Sequence, residues 1–471
     1  MKGFNTILGG SKRDIAMLFW SCCADYYLAD GGTIAFLFPQ TAFQTSPAGD
    51  GFRRFVLADT TSVGPKKAAD LVAIQPFEGA SNWTGLLVGE RGRPPAYPIP
   101  YVLWTRKAGA IPQDADLPGA VGLANRHDLF AAPCNPAVVS SPWVIGTTGS
   151  IAAAQRMSGK TPYRPRAGIT TWADGIYYGT VGPKLGDGRV TFTNDASRAK
   201  RTPPRVRPMA IEADFIYPFI EWRDVRPFSA APHAYILVPQ DPSTRRGYSE
   251  STLKVTHSGT YDYLSQFRSE LEKRSGFRRY FTKKKGARSN AFYSIFNFGP
   301  ENLAPIRVVW ATMGTFFRAA VVESVDDPIL GKRPPQVKNT VIFAPVGTLD
   351  EAHYLCALLN SAPLNYLASF SSVRGGKSFG SGGFLDRVRI DAFRPGDATH
   401  QRLADASQRA HDAVAKGNGG VLAAAVADID LSAGDYWGLS ATELADMRRL
   451  ISYLGASVPE EVDEEEDTDE D

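Results

Sequence analysis

The sequence predicts a partial Rossmann-like α/β sheet, then a mixed α+β domain, then a helical closing segment. Three observations carry this reading. The first ninety residues alternate helical and strand patterns, a long Gly-, Pro- and aromatic-rich stretch follows, and the chain closes on Ala-rich amphipathic sequence. Ser11 is a candidate helix N-cap, and Ile15, Leu18, Phe19, Cys22 and Tyr26 then recur at helical spacing. Asp30-Gly31-Gly32 ends that helix. Thr33 to Phe38 is a continuous apolar run, the pattern of a buried parallel strand, closed by Pro39. A short helix around Gly51 to Phe55, a strand near Val63–Leu71 and a strand Gly85–Val88 complete the segment before Glu90-Arg91-Gly92. Three strands leave an edge uncovered, so something must complete the sheet.

After residues 1–92, a connector at 93–104 carries Pro94, Pro95, Pro98 and Pro100 and is expected to run extended across the surface. Residues 105–395 read as a mixed, strand-rich domain with runs such as Tyr235–Val238 and Arg307–Trp310, and its clearest helix is 261–275. Residues 396–456 read as helical, ending on the amphipathic stretch Ala441–Leu454. Residues 457–471 read as a disordered acidic tail.

Several segments resemble the later part of the large adenine-N6 DNA methyltransferases of restriction-modification and phage-defence systems, including type IIG-like enzymes. The stretches 28–43, 49–57 and 67–91 are similar to the distal catalytic-domain segment. The stretches 164–178, 211–224, 292–310 and 351–361 are similar to the target-recognition domain and the motif that closes it. In this family a Gly-rich loop holds S-adenosylmethionine, and an Asn/Asp-Pro-Pro-aromatic motif holds the adenine amino group. Neither occurs in these 471 residues. Cys134-Asn135-Pro136-Ala137 lacks the second proline and the aromatic, and reads as an Asn-Pro turn. Gly375-Gly376-Lys377-Ser378 ends like a phosphate-binding loop, but Ser371 stands where the leading glycine belongs.

The resemblance therefore implies the DNA-recognition part of a split or truncated adenine methyltransferase. Double-stranded DNA is its substrate, and a partner chain supplies the cofactor and catalytic motifs. No catalytic residue is expected in this chain, which alone should transfer no methyl group. The alternatives are a non-catalytic DNA-binding specificity module and a relic of an interrupted gene.

Phe77 falls where family members place an aromatic that stacks on the flipped adenine, and Trp83 would be a second wall of that pocket. A core phenylalanine explains Phe77 equally well. Asn82 and Thr84 fit turn and strand-start chemistry. Arg164 and Arg166 precede a turn. Arg198, Lys200, Arg201, Arg205 and Arg207 form a Pro-interrupted run. Arg274, Arg278, Arg279, Lys283, Lys284, Lys285 and Arg288 alternate with Phe277, Tyr280, Phe281, Phe292 and Tyr293. Cations beside aromatics suit phosphate contacts together with base stacking.

The formal charge of +3 becomes +13 once the ten carboxylates of residues 460–471 are set aside, so the body is basic, as phosphate binding requires. Cys22, Cys23, Cys134 and Cys356 show no metal spacing and read as reduced, mostly buried thiols. His353 and His411 read as surface or capping residues on helices, and no metal is expected. With no membrane-length apolar run and no signal-peptide pattern, the sequence reads as that of a soluble cytoplasmic protein.

Overall fold

The first strands of the chain do not stand as a three-stranded fragment. The computed structural model describes residues 15–45, 49–57, 59–77, 83–112, 114–199, 204–281, 290–372 and 382–455. It places β1 (Thr33–Pro39), β2 (Val63–Asp70), β3 (Thr84–Arg91), β4 (Ile99–Arg106), β5 (Ala124–Pro133) and β6 (Trp143–Gly146) in one sheet. Their spatial order is β1-β3-β2-β4-β5-β6, and only β2 and β4 run parallel.

Two expectations are corrected here. The apolar run in β1 forms an antiparallel edge strand: Ile34 and Phe38 are buried, while Leu37 is 46% exposed. The Pro-rich connector is no surface path either. Its second half is β4, where Ile99, Tyr101, Val102 and Leu103 are buried. Pro100 is exposed near the start of the strand, before its pairing with β2 begins at Tyr101.

The helix α1 (Ile15–Tyr26) covers one side of β1. Its buried residues are Met17, Trp20 and Ala24, and the face expected to be buried is the outer one, with Ile15 67%, Phe19 54% and Tyr26 72% exposed. Trp20 decides the orientation. Its ring meets Phe36, Phe38 and Phe52 edge-on at 6.2–6.4 Å and lies against Gly89, where a Cβ would sit 2.7 Å from the indole. The indole is the largest side chain of the helix and buries more area than the residues it displaces outward. Ser11 lies outside the described residues.

A second six-stranded sheet orders Pro208–Ile211, Val190–Asn194, Tyr178–Lys184, Ala234–Leu237, Ile216–Ile220 and Gln336–Val337. The expected 261–275 helix is broken in two, Ser258–Ser265 and Arg268–Lys273, followed by Ser275–Tyr280. Tyr263, Leu264, Phe267 and Leu271 all enter the same core from these pieces. A third sheet orders Ala319–Glu323, Ile306–Ala311, Val341–Pro345 and Arg166–Ala167.

Packing groups the elements into separate cores. One core runs from Met17 through the first sheet, the Ile306–Ala311 and Val341–Pro345 strands and the Leu349–Asn360 helix to Leu454. A separate core is built from residues between Ile169 and Phe298. The closing segment is three helices, Ala398–Ala415, Gly419–Trp437 and Ala441–Gly455. In the Leu349–Asn360 helix, Ala352, Leu355, Cys356, Leu358 and Leu359 are buried as expected. His353 and His411 are not surface groups. Burial pushes the His353 imidazole down to about 4, helped by His411, and lowers His411 as well. All four cysteines are free thiols, and only Cys356 is fully buried.

Candidate nucleic-acid interface and sheet-end site

The register brings the carboxyl ends of β1, β2 and β4 to one end of the sheet. Pro39 pairs with Thr84, Asp70 with Gly85, and Asp70 with Leu103. Phe77 stands in the loop beyond β2 at this end, half exposed. Trp83 enters β3 here, and its carbonyl accepts the Gln40 N–H at 2.7 Å. Beside Phe77 lies an apolar cavity of about 360 Å³, walled by Leu71, Ile74, Pro76, Trp104 and Ala124 with Gln75 as its polar member. Gln75 holds a left-handed backbone, φ 44, and its amide oxygen accepts from Arg106 at 3.0 Å. Neither Phe77 nor Trp83 is among the described residues lining this cavity. Thr84 is the first residue of β3, and Asn82 lies outside the described residues.

Sequence reasoning missed Gln40 and Gln44. Both sit at the carboxyl end of β1, 0% and 3% exposed, with neither amide atom hydrogen-bonded among the described residues. A buried unpaired polar group costs about 1–3 kcal/mol. No pattern of spacing marks such residues, because the signal is burial itself.

The expected basic groups separate into surface and interior cations. Arg164, Arg205, Arg278 and Arg279 are exposed. Arg207 is half buried, and its N–H donates to Asn194 Oδ1 at 2.8 Å. Arg166 is exposed and pairs with Glu301 at 3.2 Å. Lys200, Arg201, Lys283, Lys284, Lys285 and Arg288 lie outside the described residues.

Two members of these runs are structural. Arg198 turns inward to Asp195 at 3.0 Å and Glu221 at 2.8 Å, and Lys338 joins Glu221 (3.2 Å) to Asp174 (3.0 Å). Burial would raise the Glu221 carboxyl, but Lys338 and Arg198 beside it hold it below the usual range. Arg274 is 6% exposed and donates to the carbonyls of Leu271, Thr171, Phe292 and Ser294 at 2.6–3.0 Å. Of the interleaved aromatics, Phe277, Phe281, Phe292 and Tyr293 are core, whereas Tyr280 is 51% exposed.

The segments that carry the surface cations meet along residues 168–175. Pro204 packs 3.2 Å from the Cβ position of Gly175, Trp172 lies on Gly276, and Asn297 donates to the Gly168 carbonyl at 3.2 Å. These contacts join the segments that carry Arg164–Arg166, Arg205–Arg207 and Arg278–Arg279.

Among the described residues no group of His, Cys, Asp and Glu could hold a metal. Asn135 makes a turn, its side chain accepting from Ala137 N at 3.0 Å. Gly31-Gly32 lies at the amino end of β1, and the described residues Pro39-Gln40-Thr41-Ala42-Phe43 at its carboxyl end hold no glycine. No described helix is long and apolar enough to cross a membrane.

No protein-family model and no curated protein sequence matches the chain. Among solved structures, it is similar to the type IIL restriction-modification enzyme MmeI in complex with DNA, with a TM-score of 0.51 and 11% identity over 94% of this chain and 52% of that one. It also matches the type IIG restriction endonuclease BpuSI (TM-score 0.29, 12% identity, 95% of this chain and 51% of that one). A third match is a nuclease-deletion mutant of the type ISP enzyme LlaGI (TM-score 0.35, 10% identity, 83% and 36%). The last two scores are too low to carry an argument. The chain thus spans about half the length of MmeI, and across that half its fold is like that of a restriction-modification enzyme.

Proposed function

We propose that this chain is the DNA-recognition part of an adenine-N6 DNA methyltransferase, completed by a catalytic half that carries the cofactor loop and the Asn-Pro-Pro-aromatic motif. The observation that carries the reading is the fold likeness to MmeI, which runs through both the sheet and the recognition lobe and whose structure is a DNA complex. The exposed cations around Gly175, Gly276 and Gly168 support duplex binding through phosphate contacts. Phe77 stands at the sheet end where a flipped adenine would enter, and Trp83 opens the neighbouring strand. The catalytic half docks on β1. That strand pairs only with β3 among the described strands, and the outer face of α1 beside it shows Ile15, Phe19, Tyr26 and Tyr27 to solvent. An unpaired edge with an apolar helix face is a ready surface for strand addition.

The test is transfer of labelled methyl from S-adenosylmethionine to adenine in unmodified DNA, with this chain, a catalytic half, and both together. Activity is expected only from the pair. Phe19→Asp should abolish association and methyl transfer while leaving the melting temperature of this chain unchanged. Methyl incorporation by the chain alone overturns the proposal. Silence from a soluble pair that binds DNA favours a non-catalytic specificity module instead.

A further inference from the structure

The recognition lobe gathers three aromatic rings at its surface, two of them largely exposed and the third, Trp172, seated on the second core. Tyr280 and Phe296 lie nearly parallel, 18° apart with centroids at 5.1 Å, and are 51% and 40% exposed. Trp172 completes the group, 5.9 Å from Tyr280 at 19° and 6.0 Å from Phe296 at 37°. The rings come from three separate segments, so no local preference gathers them.

What holds them is costly. Trp172 has φ 52, in the left-handed region that bulky residues avoid, and Asn297, next to Phe296, has φ 62, a conformation asparagine tolerates. Thr170 and Phe296 exchange backbone hydrogen bonds at 3.0–3.1 Å. Gly276 is required where Trp172 crosses it, since a Cβ there would lie 2.1 Å from the indole. Arg274 ties the same three segments together from below, through the carbonyls of Thr171, Leu271, Phe292 and Ser294. A simple lid over the second core needs neither the strained backbone nor half-exposed rings. Phe277 and Phe281, 7% and 6% exposed, already close that core.

Charge identifies the occupant. The helix that ends on Tyr280 holds no acidic residue, exposes Arg278 and Arg279, and places the Arg279 guanidinium 5.4 Å from the Tyr280 ring centroid. A π-face beside cations suits a nucleobase with its phosphates.

We infer that Trp172, Tyr280 and Phe296 form a stacking platform that receives an unstacked nucleobase of bound DNA, with Arg278 and Arg279 on the adjoining phosphates. The inference rests on the DNA-binding reading above. It concerns a base held in the recognition lobe, apart from the sheet end that carries Phe77. Unstacking a base opposes binding, and the platform returns that free energy only where a base is free to leave the duplex.

The experiment compares binding of the full chain to a mixed-sequence duplex and to the same duplex with one extrahelical adenine, by fluorescence anisotropy across a salt series. Wild type should bind the extrahelical form about tenfold more tightly. Tyr280→Leu and Phe296→Leu should lose that preference and keep plain-duplex affinity within about twofold. Tyr280→Phe, which keeps the ring, should retain it, so a folding defect cannot imitate the result. Arg279→Gln should weaken both complexes and lower the salt slope by about one. Equal affinity of wild type for the two duplexes, or preference intact in both leucine variants, overturns the platform alone. Absence of any salt-sensitive DNA binding by wild type overturns the DNA reading and the platform with it.

Discussion

Gln40 is the residue at which stability and purpose pull apart. Its amide is fully buried and unpaired among the described residues, while its own N–H is used in holding Trp83. Gln40→Met keeps the length and volume but removes the orphaned polar atoms, so the variant should be more stable by about 1 kcal/mol in urea unfolding. If the proposed function holds, the same change should depress methyl transfer by the completed pair. A destabilised Gln40→Met would mean that the amide is satisfied within this chain. Sequence could not reveal this residue, since Pro-Gln-Thr is unremarkable until burial is known. The same holds for the cations. Arg274 and Arg278 look alike in sequence, yet one is clamped to four carbonyls and the other faces solvent. Tyr280 differs from Phe277 and Phe281 only through the turn of one short helix.

At the scale of elements, the helices Leu349–Asn360 and Ala398–Ala415 meet through a pair of neutral histidines. His411 donates from Nδ1 to the Ser407 carbonyl at 2.8 Å and accepts the Val321 N–H at Nε2, 3.0 Å away, so it joins its helix to the third sheet. His353 packs edge-on against it with centroids at 4.8 Å. A proton added at His411 Nε2 would displace the Val321 N–H it accepts, and burial disfavours charge on either ring. Because the folded His353 titrates near 4 and an unfolded histidine near 6.5, its stabilising contribution is complete above about pH 6.5. It is lost as the pH falls through 4, at about 3 kcal/mol from this one group. Urea midpoints taken across that window should fall towards acid, and His353→Phe should flatten the fall. The element pattern was legible where an apolar run is buried throughout, as in the Leu349–Asn360 helix and the strand Ile306–Ala311. It misled in α1, where Trp20 outweighs the more regular stripe from Ile15 to Tyr26, and in β4, where prolines in and before it concealed a strand.

At the scale of the molecule, the last described helix packs against residues far earlier in the chain. The helix Ala441–Gly455 lies against the first sheet: Thr147 donates to Asp446 at 3.0 Å, Arg156 pairs with Glu443 at 2.8 Å, and Tyr453 stacks on His127 at 3.9 Å. The sequence suggested a boundary near residue 92 because composition changes there, but composition does not report which segments share a core. A chain ending after Trp437 should therefore lose protection in residues 33–157 under limited proteolysis while residues 169–298 remain resistant. Equal resistance of both regions would mean that the first core closes without its last helix. During synthesis at about 5–20 residues per second, the opening strands must wait some tens of seconds for the segment that covers them. The second core, whose residues lie between 169 and 298, has no such delay. The molecule is thus made from its middle outward. Its earliest strands are the last to be sealed, and a chain cut after Trp437 would carry a folded second core beside an unsealed, aggregation-prone sheet.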